Sequence, residues 1–202
     1  MMVIGLTGRA CAGKNQYASE FAKLGCTIVD VDLLGHQALE ESKRELTQTF
    51  GTEVLEEGRV NRKALGALVF SDPAKLRSLE RITHPKMVES CKTLIEDART
   101  ANSPAIVLNA ALLSRMGLDA LCDQVLFIKA PLLLRYWRCA QRERLTFRRF
   151  FQRERAQKDI STKTLGRKAG VQVLHNTGSK ALIHRQVATY CATIGISISP
   201  NG

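Results

Sequence analysis

Short apolar runs rich in β-branched residues alternate along the chain with longer segments whose apolar residues recur at helical spacing. The short runs predict strands, and the longer segments predict the helices that connect them. This alternation favours an α/β fold in which helices cover both faces of a parallel sheet. The five predicted strands are residues 2–7, 26–32, 104–110, 122–130 and 170–176.

Residues 36–100 depart from the alternation, because their apolar positions predict helices and no strand. We expect these helices to be interrupted at the sequence SDP, residues 71–73, and at the sequence HP, residues 84–85, since proline disfavours a continuing helix. The stretch therefore predicts a helical layer beside the sheet.

A phosphate-binding loop is predicted between the first strand and the first helix, where Gly8-x-x-x-x-Gly13-Lys14 matches the Walker A pattern. Glycines let successive backbone N–H groups turn inward as an anion nest, and the helix that follows points its positive end at the same place. Lys14 adds a full charge near the β- and γ-phosphates of ATP. The alternative is a plain glycine turn. The predicted nucleotide-binding residues of the loop are Gly8, Arg9, Ala10, Cys11, Ala12, Gly13, Lys14, Asn15 and Gln16.

The predicted metal site is unusual, because Asn15 stands where such loops carry the Ser or Thr that helps to bind Mg²⁺. An amide oxygen can also bind a hard cation. Asp30 is expected to hold a metal-bound water, and Asn109 ends the third strand where many phosphate-loop enzymes have an Asp. Weaker Mg²⁺ binding and a nucleotide site that has lost catalysis are both compatible with this pattern.

Asp32 is the candidate general base, because ligands of parallel sheets lie beyond the carboxyl ends of the strands and phosphoryl transfer needs a proton acceptor. The sequence VDVD predicts that Asp30 and Asp32 end the second strand on opposite faces. The alternative role for Asp32 is to cap the helix that follows.

Composition and charge add limits on function. The chain has 202 residues, 45% of them hydrophobic, with no run that could span a bilayer and an N-terminus that predicts a strand rather than a signal peptide. The net charge is +11, and residues 135–158 hold nine Lys or Arg and two acids, 9 − 2 = +7. This segment is compatible with a solvated helix face, a nucleic-acid surface or a grip on a polyanionic substrate.

The six cysteines lie far apart and form no C-x-x-C pair. A zinc site is therefore not expected, and the simplest interpretation is six reduced thiols in a cytosolic protein. Cys11, inside the phosphate loop, is a candidate for oxidation.

Taken together, the motifs resemble those of the dephospho-CoA kinase family over nearly the full chain. The sequences that carry the resemblance are GRACAGKN, VDVDLLGHQ, THPK, AALL, RCAQR and HNTG. The resemblance implies transfer of the γ-phosphate of ATP to the ribose 3′-hydroxyl of dephospho-CoA, with Mg²⁺, in the cytoplasm. It implies a P-loop NTPase fold of three layers, α/β/α, in one domain: a core of residues 1–35, 101–134 and 168–202, a helical substrate subdomain at 36–100 and an arginine-rich lid at 135–167.

The resemblance also assigns roles to residues. Asp32 matches the base, Arg138 and Arg142 match the lid arginines, and Asn176 matches a residue near the adenine of ATP. Arg167 matches a basic residue before the last strand. The predicted catalytic residues are Lys14, Asp32, Arg138 and Arg142, and the predicted substrate-binding residues are Asp32, His36, His84 and Arg142. For His84, a structural role at a helix start is the alternative.

Several positions depart from the family pattern. Arg9 and Cys11 replace small loop residues, and Ala111 replaces a proline. The remaining lid arginines exceed what catalysis needs, and they either bind substrate or form surface charge. The phenylalanines at 147, 150 and 151 either pack the lid onto the core or cover an adenine.

Three functions stay open at this point: a dephospho-CoA kinase, a kinase of another small molecule or nucleotide, and a non-catalytic binder of nucleotide or nucleic acid. The expected partner is the small-molecule substrate dephospho-CoA, with neither a membrane nor nucleic acid. The chain is expected to be a monomer or a small homo-oligomer.

Overall fold

A computed structural model describes residues 1–70, 72–143, 146–165 and 170–196. The strands are β1 (Met2–Thr7), β2 (Thr27–Asp30), β3 (Leu55–Glu56), β4 (Arg59–Val60), β5 (Ala105–Asn109), β6 (Gln124–Lys129) and β7 (Gly170–His175). The α-helices are α1 (Lys14–Lys23), α2 (Val31–Glu41), α3 (Lys43–Phe50), α4 (Arg62–Phe70), α5 (Pro73–Thr100), α6 (Leu132–Glu143), α7 (Phe147–Ala156) and α8 (Lys180–Thr193). Short 3₁₀ turns lie at Thr52–Val54 and Leu118–Leu121.

The main sheet has five parallel strands in the order β2-β5-β1-β6-β7, which confirms the predicted α/β class. All residues of β5, an inner strand between β2 and β1, are buried, whereas most of the edge strand β7 is exposed. Because all five strands are parallel, their carboxyl ends meet at one edge of the sheet.

The chain divides into two compact units, Met1–Asp30 with Leu94–Gly202, and Val31–Thr93. In the first unit, α1 and α8 bury one face of the sheet. Phe21 and Tyr190 meet edge to face there, with ring centroids 6.0 Å apart. Ile4, Leu6 and Val107 of the sheet are fully buried in the same cluster. Burial of this apolar surface is the main source of stability for the scaffold that carries the phosphate loop.

The second unit has its own core, formed by Leu46, Phe50, Val54, Val60, Leu65 and Val69. It also contains the antiparallel pair β3–β4, so the prediction that residues 36–100 hold no strand is wrong. The turn between the two strands places Glu57 and Gly58 at positive φ, as a two-residue hairpin requires. Each strand has only two residues, too few for an alternating pattern to appear in the sequence.

The predicted break at SDP is confirmed, and the predicted break at HP is wrong. Asp72 Oδ1 accepts a hydrogen bond from Ala74 N at 2.8 Å, and Pro73 takes the first helical position of α5. Helix α5 then continues through Pro85, so His84 lies in mid-helix rather than at a helix start. Apolar burial on either side of Pro85, at Ile82 and Met87, offsets the missing N–H.

The structure also moves Asp32 out of the second strand. Strand β2 ends at Asp30, and α2 begins at Val31. Asp32 is therefore in the first turn of a helix, where a carboxylate is favoured by the helix dipole, and the predicted alternation of Asp30 and Asp32 on a strand is wrong. Among the described residues, no helix is long and apolar enough to cross a membrane.

Candidate active site

The phosphate loop connects β1 to α1 at the carboxyl edge of the sheet. Gly8 and Gly13 both have positive φ, at 151° and 97°. An added Cβ would collide with the carbonyl oxygen of Ile128 at Gly8 and with the side-chain amide of Asn176 at Gly13. Both positions therefore require glycine for backbone angle and for space. The loop carries its N–H groups to the N-terminus of α1, which favours an anion.

Lys14 is the first residue of α1, and its side chain folds back over the loop. Its Nζ lies 3.4 Å from the carbonyl oxygen of Gly8. Gln16 N donates to the carbonyl oxygen of Gly13 at 2.9 Å, which closes the first turn of the helix. The ammonium and the positive end of the helix thus lie over the same small concavity, which suits a polyphosphate.

Three consecutive loop residues are attached to one face of α6. Arg135 Nε donates to the carbonyl oxygen of Ala10 at 3.0 Å, and Arg138 Nη1 lies 3.4 Å from that of Ala12. Between them, Cys11 and Cys139 form a disulfide. The helix positions are spaced by three and four residues, and so they share one face. Helix α6 and the phosphate loop are therefore attached at three consecutive loop residues.

The disulfide contradicts the expectation of six reduced thiols. Its Cα atoms are 5.8 Å apart and 128 residues separate its cysteines. The expectation failed because the pairing depends on the contact between α6 and the loop, which sequence spacing does not reveal. The other four cysteines are buried and form no disulfide with a described residue: Cys26, Cys91, Cys122 and Cys191.

A buried ion pair that the sequence analysis missed supports this attachment. Arg135 and Glu154 of α7 are both buried, and Arg135 Nη1 donates to Glu154 Oε2 at 3.1 Å, with a second contact through Nη2. Glu154 Oε2 also lies 3.4 Å from Arg9 Nη1, so one carboxylate holds two arginines. Gln157 Oε1 accepts from Ala10 N at 2.8 Å. The one feature of the sequence that could have indicated a role for Arg135 is its position three residues before Arg138, on the same helical face.

Asn176 lies directly after β7 and is fully buried. Its Nδ2 donates to the carbonyl oxygen of Ala12 at 2.9 Å and to Gln16 Oε1 at 3.2 Å. Its Oδ1 accepts from Gly178 N at 2.9 Å and from Arg138 Nη2 at 3.1 Å. One amide therefore joins the loop, the helix α1 and a lid arginine, and its hydrogen-bonding capacity is fully used within the protein.

Arg138 and Arg142 lie one turn apart on α6 and face a cleft of about 640 Å³ above the loop. Gly13, Lys14 and the exposed Trp137 also line this cleft. Partial burial lowers the pKa of the Arg138 guanidinium from its ordinary value. Desolvated in this way, a charged guanidinium interacts more strongly with an anion than it would in water. The cleft combines an anion nest, three cations and an aromatic wall.

Asn15 and Asn109 contact each other at the same sheet edge. Asn109 Nδ2 donates to Asn15 Oδ1 at 3.0 Å, while Asn109 Oδ1 is buried without a hydrogen-bond partner among the described residues. Asp30 is the β2 partner of Asn109 in the parallel register. Three residues with oxygen ligands thus meet beside the loop. Within the described ranges, no group of three or more His, Cys, Asp or Glu residues could hold a metal ion.

The other predicted substrate residues belong to the second unit. Asp32 and His36 are exposed and lie four residues apart on α2, and hence on one helical face. His84 is partly buried in α5.

Two arginines of the predicted lid region, Arg144 and Arg167, lie outside the described residues. Arg115 forms an ion pair with Asp159, at 2.6 Å.

The aromatic residues of α7 pack on α6. The ring of the buried Phe150 is 5.4 Å from that of Tyr136, and the ring of the exposed Phe147 is 5.3 Å from that of Tyr136. Phe151 completes the cluster against both phenylalanines. These contacts join α6 and α7 to each other, and they do not decide between packing of the segment onto the sheet and cover of an adenine.

Comparison with known proteins identifies relatives over most of the chain. The family model described as CoaE, dephospho-CoA kinase, matches residues 2–181. A dephospho-CoA kinase of Treponema pallidum is 33% identical over 193 residues, which cover 92% of each chain.

Solved structures agree with this likeness. A crystal structure from Thermus thermophilus has 33% identity and a TM-score of 0.78, and the match covers 95% of this chain and 97% of that one. The dephospho-CoA kinase of Campylobacter jejuni has 25% identity and a TM-score of 0.62, with 95% and 96% covered.

Proposed function

The chain belongs to the dephospho-CoA kinase family, and on that premise we propose that it transfers the γ-phosphoryl group of ATP to the ribose 3′-hydroxyl of dephospho-CoA. The observation that supports this most is the cleft in which the Gly8–Lys14 loop faces Arg138 and Arg142. A phosphoryl-transfer site needs such a set of positioned cations, because negative charge spreads over the phosphate oxygens as the group moves.

In this proposal the loop and Lys14 hold the ATP phosphates. Backbone N–H groups of the Gly8–Lys14 loop bind the phosphate oxygens, apart from those of Ala10 and Ala12, which donate within the protein. The Lys14 ammonium leaves the Gly8 carbonyl for the β- and γ-phosphates. The exposed face of Trp137 offers a surface at the other side of the cleft, where the base of the nucleotide stacks.

Arg138 and Arg142 neutralise the transferring group. Arg138 donates to Ala12 and Asn176, two neutral acceptors that a phosphate oxygen replaces with a stronger, charge-assisted bond. Arg142, one turn later and exposed, reaches ATP or the anionic groups of the substrate. Asn176 acts on the nucleotide through the position of Arg138 and of the loop.

The residues present fit a divalent cation that travels with ATP. Asn15 Oδ1, the Asp30 carboxylate and the unpartnered Asn109 Oδ1 would hold Mg²⁺ directly or through its waters. The cation supplies neutralisation of the phosphate oxygens. Asn15 provides an amide oxygen where such loops usually have a hydroxyl, and Asn109 provides one where many have a carboxylate. Such neutral ligands suit a cation that keeps several of its waters.

Asp32 is the general base in this proposal. It follows Asp30 by two residues in the chain, and its side chain is exposed. The carboxylate takes the proton of the 3′-hydroxyl as that oxygen bonds to the γ-phosphorus. The bond between the γ-phosphorus and its bridging oxygen breaks, and ADP leaves. His36, His84 and Arg142 contribute to substrate binding, and the reaction takes place in the cytoplasm.

A panel of acceptors tests the proposal. The chain is incubated with ATP and Mg²⁺ and with dephospho-CoA, a nucleoside monophosphate or shikimate, and product is followed by chromatography. Of the three acceptors, we expect only dephospho-CoA to be phosphorylated, and the new phosphate to be on the 3′-oxygen of its ribose. Turnover with a nucleotide and none with dephospho-CoA would overturn the proposed substrate. ATP binding without turnover on any acceptor would favour a non-catalytic role.

A further inference from the structure

The disulfide between Cys11 and Cys139 lies at the nucleotide site and no step of the proposed reaction uses it. Cys11 belongs to the phosphate loop and lines the cleft, while Cys139 follows the lid arginine Arg138 directly. Crosslinks are rare in reducing compartments, and those that occur there serve catalysis or redox sensing. Its position therefore calls for a functional account.

The crosslink differs in kind from the two hydrogen bonds that flank it. Arg135–Ala10 and Arg138–Ala12 are non-covalent, and they exchange readily with water or phosphate. The bond between Cys11 and Cys139 persists until a thiol reduces it. With it closed, α6 cannot separate from the loop, whereas with it open the remaining contacts permit the helix to move.

Access to Cys11 distinguishes this pair from the other cysteines, since Cys139 is itself fully buried. Cys11 is partly exposed at the rim of the cleft, so a small thiol can approach its sulfur. Cys26, Cys91, Cys122 and Cys191 are buried and form no disulfide with a described residue. Burial raises the pKa of the Cys91 thiol to about 11, which leaves it protonated and unreactive near neutral pH.

We propose that Cys11 and Cys139 form a reversible redox-modification site, in which the disulfide restrains α6 against the phosphate loop and slows nucleotide exchange and turnover. The proposal rests on the kinase function above. On oxidation two thiols lose two electrons and two protons, and a low-molecular-weight disulfide accepts them to become two thiols. The thiolate of Cys11 attacks that disulfide and releases one small thiol, and Cys139 then displaces the second small thiol from the mixed disulfide.

The direction of the effect follows from what the lid must do. Arg138 has to leave Ala12 and Asn176 to contact phosphate, and α6 has to move away before the product nucleotide departs. Lid opening and product release limit turnover in many kinases and related enzymes. A covalent link one residue from Arg138 hinders both movements without removing any group that binds nucleotide.

The experiment compares one purified chain in two redox states. Half is oxidised with glutathione disulfide, half is reduced with dithiothreitol, and both are freed of reagent. We expect four titratable thiols after denaturation in the oxidised chain and six in the reduced chain. Turnover of dephospho-CoA should be about threefold or more higher in the reduced chain. Equal turnover in the two states, or six thiols in both, would overturn the proposal.

Nucleotide release provides a readout that does not depend on the reaction. Trp137 is the only tryptophan, lies two residues before Cys139 and lines the cleft, so its emission follows both α6 and the nucleotide. ADP should dissociate more slowly from the oxidised chain in stopped-flow chases. If dissociation differs between the states while neither state phosphorylates dephospho-CoA, the redox site stands and the proposed substrate fails. Equal dissociation rates contradict the redox site itself.

Two variants assign the effect to this pair. Cys139→Ser should show reduced-state kinetics under both treatments, because it cannot form the crosslink. Cys91→Ala, which removes a buried thiol of the other unit, should keep the full response to dithiothreitol. A response that survives in Cys139→Ser would place the redox chemistry at another cysteine and contradict the proposal. The comparison of the two states of the unaltered chain decides the matter if either variant folds poorly.

Discussion

Arg138 and Asn176 are joined by a hydrogen bond of 3.1 Å, from Nη2 to Oδ1, although 38 residues separate them. The same asparagine holds the phosphate loop through the carbonyl oxygen of Ala12. It is therefore the point at which the last strand of the sheet sets the geometry of both the loop and the lid arginine.

Replacement of Asn176 should weaken ATP binding. Asn176→Ala leaves the Ala12 carbonyl and Arg138 without their partner, and a lost buried hydrogen bond costs about 1–3 kcal/mol. We expect the KM for ATP to rise about 5-fold to 100-fold, in keeping with that cost, while the KM for dephospho-CoA changes little. Initial-rate kinetics with each substrate varied in turn measure both constants.

Asn176→Asp keeps the acceptor for Arg138 but sets a buried carboxylate oxygen against the Ala12 carbonyl and Gln16 Oε1. We expect its ATP defect to be at least as large as that of Asn176→Ala. If both variants bind ATP as well as the unaltered chain does, Asn176 does not position the loop.

Asp32→Asn should lower the chemical step and preserve ATP binding. The amide cannot accept the proton of the 3′-hydroxyl, and removal of general-base assistance typically reduces turnover by about 10²–10⁴-fold. The measurements are kcat by product formation and ADP affinity by the emission of Trp137. Unchanged turnover would remove Asp32 from the role of base, whatever its effect on substrate affinity.

Asn15→Ser should lower the Mg²⁺ concentration needed for half-maximal activity or leave it unchanged. The substitution restores the hydroxyl that phosphate loops usually provide, and it frees Asn109 from its contact with Asn15. A titration of Mg²⁺ at fixed ATP gives the concentration, and calorimetry of Mg-ADP binding gives a readout independent of activity. A large loss of activity would mean that the Asn15 amide has a specific role of its own.

The buried pair of Arg135 and Glu154 should be important for stability. Glu154→Ala leaves the Arg135 guanidinium buried with one carbonyl partner, and a broken buried pair costs about 3–5 kcal/mol. Urea unfolding gives the change in the free energy of unfolding. Glu89→Ala, which removes an exposed pair with Lys92, should cost less than about 1 kcal/mol. Equal effects of the two substitutions would show that Arg135 finds water or another acceptor.

The features predicted correctly are those written in local sequence. Five apolar runs predicted the five strands of the main sheet, and the glycine spacing from Gly8 to Gly13 predicted the loop between β1 and α1. Both signals depend on neighbours within a few residues. The capping aspartate at 72 is of the same kind, since its partner lies two residues away.

The features that were missed depend on contacts between distant residues. The pairing of Cys11 with Cys139 and of Arg135 with Glu154 requires α6, α7 and the loop to be in place first. At Pro85, burial along α5 outweighs a local preference that would end a helix. The roles assigned to Asp32, His36 and His84 stay predictions.

The hydrogen bond between Asn176 and Ala12 joins residues 164 positions apart, so it can form only after most of the chain has been synthesised. A nascent polypeptide displays its Walker sequence early, yet the groove stays unfinished until β7 has left the ribosome and joined the edge of the sheet. Fragments that stop short of this strand keep the Walker sequence but lack Asn176 and its bond to Ala12, so we expect them to bind nucleotide poorly.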